Sequence, residues 1–364
     1  MNRVFPLPIY IFFKIAYENG GFSFKGLKHI PSWFIKTLLF EPLRWSELAI
    51  YNKKINQHQL TCDPVFILGF YRSGTSYLHQ LLTQDDRFGY HSNFQMVFPE
   101  VMLTSEKWLS PMFESIFRLF KIQDPVHRTP LSFRFPGEED GSMTTSLDPR
   151  GATWGYFFPK AMTKYFRNYV LFENMPASEI EEWKKGYIYL LKKISLACGN
   201  KPLLLKSPPN TARVKLLLSL FPNAKFIFIH RNPYDVYASN KRFLKVTHSI
   251  YAMGRTKLVD VNSIILDTFS QTMHRYLQER SLIPDGQLME LSYDDFTQYP
   301  VETIRKTYAT LGLNDFSYCE NKMTSFAARQ KQFKSIDHQL PPAELTMISK
   351  KLEPLISHWN YSLL

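Results

Sequence analysis

Arg72, Lys206 and Arg231 each follow, directly or within a few residues, a short apolar run: Val65–Leu68, Leu203–Leu205 and Lys225–Ile229. Runs of this length with β-branched and aromatic members read as buried strands. In a parallel sheet the carboxyl ends of neighbouring strands share one edge, so the three cations would converge there. The chemistry such an edge supports is anion binding and neutralisation of charge on a transferring group. The first cation also lies in a loop suited to anions. Gly69–Gly74 is a turn, and Tyr77, Leu78, Leu81 and Leu82 recur at helical spacing, which predicts a helix over Ser76–Leu82. Free N–H groups of its first turn and the helix dipole attract negative charge, and Arg72, Ser73, Thr75 and Ser76 add donors.

Gly69, Gly74 and Ser76 have the spacing of the nucleoside-triphosphate loop G-x-x-x-x-G-K-[ST]. Thr75, however, occupies the lysine position, and the cation, Arg72, is inside the loop. Such a loop holds a phosphate without a dedicated magnesium site; the competing reading is an ordinary strand–turn–helix corner. A second chemical cluster is Glu138, Glu139 and Asp140, in a loop flanked by Pro136, Gly137 and Gly141. Adjacent carboxylates are commonly a solvated turn. If partly buried, they repel, one holds its proton to higher pH, and that one can serve as a general base.

The chain has 364 residues, enough for one large α/β domain or two small ones, and its 45% apolar content excludes general disorder. A net charge of +12 suits an anionic ligand, an anionic membrane surface or nucleic acid. No Lys/Arg run or RNA-binding signature supports nucleic acid, and no such partner is expected. Cys62, Cys198 and Cys319 are far apart and odd in number, so neither a disulfide framework nor a zinc site is expected. The apolar N-terminus is interrupted by Pro6, Pro8 and Lys14 and lacks a cleavage site, so a spanning helix and a secretory signal are both disfavoured. The reading is a cytoplasmic protein whose residues 1–20 either pack on the core or rest on a membrane surface. The sequence leaves the oligomeric state open.

Residues 1–60 read as a helical, aromatic segment, with Phe34, Ile35, Leu38 and Leu39 on one face and a second helix from Glu47 to Leu60 behind Ser46 as N-cap. Residues 61–364 read as the main domain. Residues 85–175 are irregular by pattern. A helix is predicted over 177–198, capped by Ser178 and stopped at Gly199-Asn200. Further helices follow over 211–220, Tyr234 to about Leu244, and about Pro300 to Leu311, with a fourth strand at Gln287–Leu291. Strands alternating with helices predict an α/β fold, a P-loop-like doubly wound, mainly parallel sheet flanked by helices.

With those elements placed, the chain resembles the sulfotransferases that use 3′-phosphoadenosine-5′-phosphosulfate (PAPS). YRSGTSYL at 71–78 looks like the loop that binds the 5′-phosphosulfate. FIHRNPYDVYASNKRF at 228–243 looks like the 3′-phosphate site, with Arg231 and, eight residues on, Ser239. The resemblance implies that Arg72, Ser73, Gly74, Thr75 and Ser76 hold the phosphosulfate, and Arg231 and Ser239 the 3′-phosphate. Tyr77 and Tyr293 would contact the adenine. Lys206, opening KSPPN, would sit on the transferring sulfuryl group with Arg72. Pro208 stands where cytosolic small-molecule sulfotransferases carry a His base. KSPPN and P-x-E-E-D look more like a bacterial branch in which a carboxylate is the base, here Glu138 or Glu139, with His79, His91 and His127 as alternatives. The family's C-terminal Arg-Lys-Gly loop is missing, and Arg329, Lys331 and Lys334 are candidates to replace it.

The implied activity is transfer of the sulfuryl group from PAPS to a hydroxyl, without a metal. Aromatic content of 15%, with 30 Phe, points to a hydrophobic small-molecule or lipid acceptor: a sterol, lipid or phenol. Two other classes compete. A P-loop kinase-like phosphotransferase would need the absent loop lysine and an Asp closing a later strand, where this chain has His230-Arg231. A non-enzymatic basic membrane-surface binder would explain the charge but not the paired phosphate blocks.

Overall fold

The computed structural model describes residues 8–124, 130–257, 259–313, 315–330 and 340–364. In chain order the helices are α1 (Pro8–Glu18), α2 (Ile30–Gln57), α3 (Thr75–Leu82), α4 (Asn93–Val97), α5 (Met102–Leu119), α6 (Glu139–Thr145), α7 (Trp154–Phe157) and α8 (Met162–Tyr169). They continue with α9 (Ala177–Ala197), α10 (Val214–Leu220), α11 (Pro233–Tyr251), α12 (Val261–Glu279), α13 (Tyr293–Gln298), α14 (Pro300–Thr310), α15 (Ser317–Gln330) and α16 (Pro342–His358). The strands are β1 (Val65–Leu68), β2 (Gly89–Tyr90), β3 (Leu203–Lys206), β4 (Lys225–His230) and β5 (Leu288–Ser292), in the order β2-β3-β1-β4-β5.

β1 is parallel to β3 and β4, and β4 to β5, which is the mainly parallel α/β sheet that the alternating pattern predicts. β1 and β3 are buried at every position because helices cover both faces, and this is why they read as unbroken apolar runs. Register fixes the edge. Ile67 lies beside Lys206 and Ile227, Leu68 beside Phe228, and His230 beside Ser292. The loop after β1, Lys206 closing β3, Arg231 after β4 and Tyr293 after β5 therefore all stand at the carboxyl edge.

Two compact units form, one from residues 1–61, 90–200 and 243–260, the other from 62–89, 201–242 and 261–364. In this division residues 90–200 and 243–260 group with the N-terminal segment. The second unit contains the sheet and a core of Val65, Ile67, Leu78, Ile227, Ile229 and Leu291. The first is chiefly helical, around Phe94, Phe98, Val101, Leu109 and Phe133.

Several local expectations are corrected. The described residues of 85–175 include the helices α4 to α8, where an irregular stretch was expected. Proline inside α5 (Pro111) and phenylalanine on several faces obscure the period. α2 is one helix through Pro42 and Ser46, because Arg44 and Glu47 are buried and bonded along it; Glu47 accepts from Leu103 N at 2.8 Å and Thr104 N at 3.0 Å. α9 starts behind Pro176 with no side-chain cap, not behind Ser178. A 3₁₀ turn, Pro208–Ala212, precedes α10, which starts only at Val214. α11 runs past Leu244 to Tyr251. Ile11, Phe12, Ile15 and Ala16 of α1 are buried, so one face of that helix packs inward. Among the described residues no helix is long and apolar enough to cross a membrane.

Candidate active site

The loop after β1 is held by contacts the sequence does not announce. Thr211 Oγ1 accepts from Gly69 N (2.8 Å) and donates to Gly69 O (3.1 Å), pinning the start of the loop to the turn after β3. Ser73 Oγ donates to Phe70 O (2.7 Å), and Asn240 Nδ2 of α11 donates to Tyr71 O (2.9 Å). Arg72 has φ +70°, and Gly74, which caps α3, has φ +100°. A Cβ on Gly74 would stand 2.5 Å from a ring carbon of Tyr293. Glycine is required there twice over, by conformation and by the ring lying over it. Gly74→Ala is expected to cost about 1–3 kcal/mol of stability through strained backbone alone, and more if Tyr293 cannot shift. Urea unfolding measures it, and an unchanged midpoint would show that neither constraint holds.

The cations sit around this loop. Arg72 Nε donates to Ser239 Oγ at 3.0 Å, joining two blocks far apart in sequence. The chain turns at Asn232, whose Oδ1 accepts from Tyr234 N (3.0 Å), and α11 then carries Ser239 back to the loop. Lys206 is buried, with Nζ 3.4 Å from Ser76 Oγ on the first turn of α3. Arg231 stacks over Tyr293, its Cζ 4.2 Å from the ring centroid, and donates through Nη2 to Asp235 Oδ2 (3.2 Å). Its Nε is buried and has no hydrogen-bond partner among the described residues. A buried donor of this kind is costly unless an acceptor arrives, which fits an anionic ligand. Burial lowers His230 to about 4, so this ring, 2.9 Å from the Tyr361 hydroxyl and stacked on Trp359, is neutral beside the arginine. Tyr77 packs on Phe296 at 4.9 Å, half-buried on the second unit's core. Thus Arg72 to Tyr77, Lys206, Arg231, Ser239 and Tyr293 all belong to the second unit.

The carboxylates belong to the first unit. Glu138 precedes α6, and Glu139 and Asp140 open its first turn, both essentially fully buried. The solvated-turn reading therefore fails, because the helix turns Glu139 toward α9, where Tyr187 OH donates to its Oε1 at 3.1 Å. Burial first, then repulsion from Asp140 and Glu138, raises Glu139 to about 7, against the attraction of its hydrogen bonds. His91 is buried with Nε2 2.9 Å from Ser142 Oγ of α6, and burial lowers it to about 3. His79 is buried on α3 with Nε2 3.3 Å from Leu204 O. Arg329 is exposed in the last turn of α15, whereas His127, Lys331 and Lys334 lie outside the described residues. Among the described residues no three His, Cys, Asp or Glu side chains gather as a metal site.

A parallel sheet whose carboxyl edge carries a glycine-bounded loop, three cations and two tyrosines defines an anion-handling α/β protein. A family model described as the sulfotransferase family matches residues 64–317, more than two thirds of the sequence. The chain belongs to the sulfotransferase family and is an enzyme. It is 25% identical over 320 residues to the omega-hydroxy-beta-dihydromenaquinone-9 sulfotransferase Stf3 of Mycobacterium tuberculosis and of Mycobacterium bovis, covering 87% of this chain and 80% of the relative. Its fold is similar to sulfotransferase STF9 from Mycobacterium avium, with a TM-score of 0.72 at 17% identity over 100% of this chain and 99% of that one. It is also similar to sulfotransferase STF1 from Mycobacterium tuberculosis, with a TM-score of 0.67 at 16% identity over 95% and 91% of the two chains.

Proposed function

We propose that this sulfotransferase binds PAPS across the loop after β1 and the start of α11 and sulfates the hydroxyl of a lipophilic acceptor. The observation that carries the reading is the juxtaposition of two pairs at one sheet edge: Arg72 with Ser239, and Arg231, its Nε without a partner among the described residues, with Tyr293. The donor set there is guanidinium, ammonium, hydroxyl and helix N-terminal amide, which suits a polyanion. Arg72 and the groups of residues 73–76 would hold the phosphosulfate, Arg231 and Ser239 the 3′-phosphate, and Tyr77 and Tyr293 the adenine. PAPS supplies an activated sulfuryl group when bound. Lys206 and Arg72 would face charge building on the sulfuryl and leaving oxygens, and Glu139 would take the proton of the acceptor hydroxyl. The lipophilic acceptor class is supported by the Stf3 relatives, named for a menaquinone derivative. The exposed Tyr10, Phe13 and Tyr17 of α1 leave the N-terminal segment able to touch a lipid surface.

The test is titration of adenosine 3′,5′-bisphosphate beside ATP–Mg²⁺, followed by thermal shift. The bisphosphate is expected to stabilise the wild type, and Arg231→Ala to weaken it by about ten- to hundredfold, the worth of a charge-assisted hydrogen bond. A shift with ATP–Mg²⁺ alone would overturn the reading in favour of phosphoryl transfer.

A further inference from the structure

Two neighbouring helices of the first unit turn apolar stripes to solvent. α5 begins beside α2, its first amides bonded to Glu47, and the pair shares an interior in which Phe40, Leu43, Leu109, Phe113 and Phe117 surround Phe98. On the opposite side of α2, Ile35, Leu38, Pro42, Trp45 and Ala49 recur at steps of three and four and are all exposed, Leu38 to 63%. On α5, Trp108, Met112, Ile116 and Leu119 repeat the pattern, Leu119 at 76%. The outward face of a helix packed on a globular core is ordinarily polar. Contiguous apolar surface on such a face marks an interaction site.

Charge is sorted on the same two helices. Every carboxylate of the two helices is spent inward: Glu41 on Arg44, Glu47 on Lys193, Glu106 on Ser92 and Gln95, Glu114 on Ser132 and Phe133 N. The exposed charges are all basic. Lys53 and Lys54 end α2, Lys107 and Arg118 stand on α5, and Lys25 and Lys28 precede α2. Exposed apolar stripes on two helices whose described exposed charges are all basic are complementary to a surface that is apolar within and anionic at its boundary. We propose that the α2–α5 face docks on an anionic lipid bilayer, its stripes at the headgroup–acyl boundary and its lysines and arginines against lipid phosphates. This surface does not depend on the acceptor assignment.

The test is flotation of the full chain with vesicles of phosphatidylcholine alone and of phosphatidylcholine mixed with phosphatidylglycerol, at low and high salt. The wild type is expected to float with the mixed vesicles at low salt, and its partitioning to fall about tenfold or more with added salt or without the anionic lipid. Leu38→Glu with Leu119→Glu places two charges on exposed positions, and is expected to lose binding by about tenfold or more while still binding adenosine 3′,5′-bisphosphate. Should that variant misfold, Lys53→Glu with Lys54→Glu decides, with the same loss expected. Failure of the wild type to float, or flotation of either folded variant like wild type, overturns the proposal. So does a dimer in light scattering that Leu38→Glu with Leu119→Glu dissociates, since the face is then a contact between copies.

Discussion

Glu139→Gln is expected to lower turnover by about 10²–10⁴-fold while affinity for adenosine 3′,5′-bisphosphate stays at the wild-type value. A base works best when its pKa lies near the ambient pH, and burial raises Glu139 to about 7. Below that pH the carboxyl is protonated and cannot accept the acceptor's proton, so the wild-type rate should rise with pH and level off above about 7. The variant should lack that limb. The same shift affects stability with a definite sign. The folded pKa is above the ordinary 4.5, so between 4.5 and about 7 the folded chain keeps a proton that the unfolded chain has lost. Stability therefore falls as pH rises through this window, by about 3 kcal/mol in all. Glutamine keeps the shape, can still accept from Tyr187, and has no proton to lose. The melting temperature of Glu139→Gln should gain on wild type between pH 5 and pH 8. Unchanged turnover would move the proton acceptor elsewhere, with Glu138 next to be changed. An unchanged difference in melting temperature would show that Glu139 is not desolvated.

The two carboxylates illustrate how much of the site was legible in the sequence. Glu138 and Glu139 are adjacent, identical in type and flanked by the same Pro136-Gly137, so composition and spacing rank them equally. Their difference comes from the first turn of α6, which directs Glu139 to Tyr187 on α9 and leaves Glu138 half-exposed. Strands and the loop after β1 were legible for the opposite reason. A strand covered on both faces must be apolar throughout, and a loop with glycine at two positive-φ corners must keep those glycines. Convergence of Arg72, Lys206 and Arg231 followed from parallel topology alone. Thr211 and Asn240 were missed because a hydroxyl or amide that braces a distant backbone has no local signature. α2 and α5 were misread for a single cause: each has apolar residues on its inner and outer sides and an internal proline. The residues that erase their amphipathic period are those argued to meet lipid.

Lys206→Ala is expected to lower kcat by about 10²–10³-fold, the usual cost of losing one preorganised donor to developing charge. Lys206 closes β3 in register with Ile67, so its side chain leaves a strand that is buried at every position. Ser76 Oγ, 3.4 Å away, places it by the first turn of α3, whereas the Arg231–Tyr293 stack is assigned to the nucleoside end. Adenosine 3′,5′-bisphosphate lacks the sulfuryl group, so its affinity should be little affected by Lys206→Ala, in contrast to Arg231→Ala. Lys206→Arg should not restore the rate, since a planar fork cannot take the place of a compact ammonium in a buried slot. The two variants thus divide the edge into a part that grips and a part that acts only as the bond changes. If Lys206→Ala instead weakens the bisphosphate as much as it lowers kcat/KM, with kcat retained, the ammonium is a ground-state phosphate ligand. Arg72 alone would then face the charge on the transferring group.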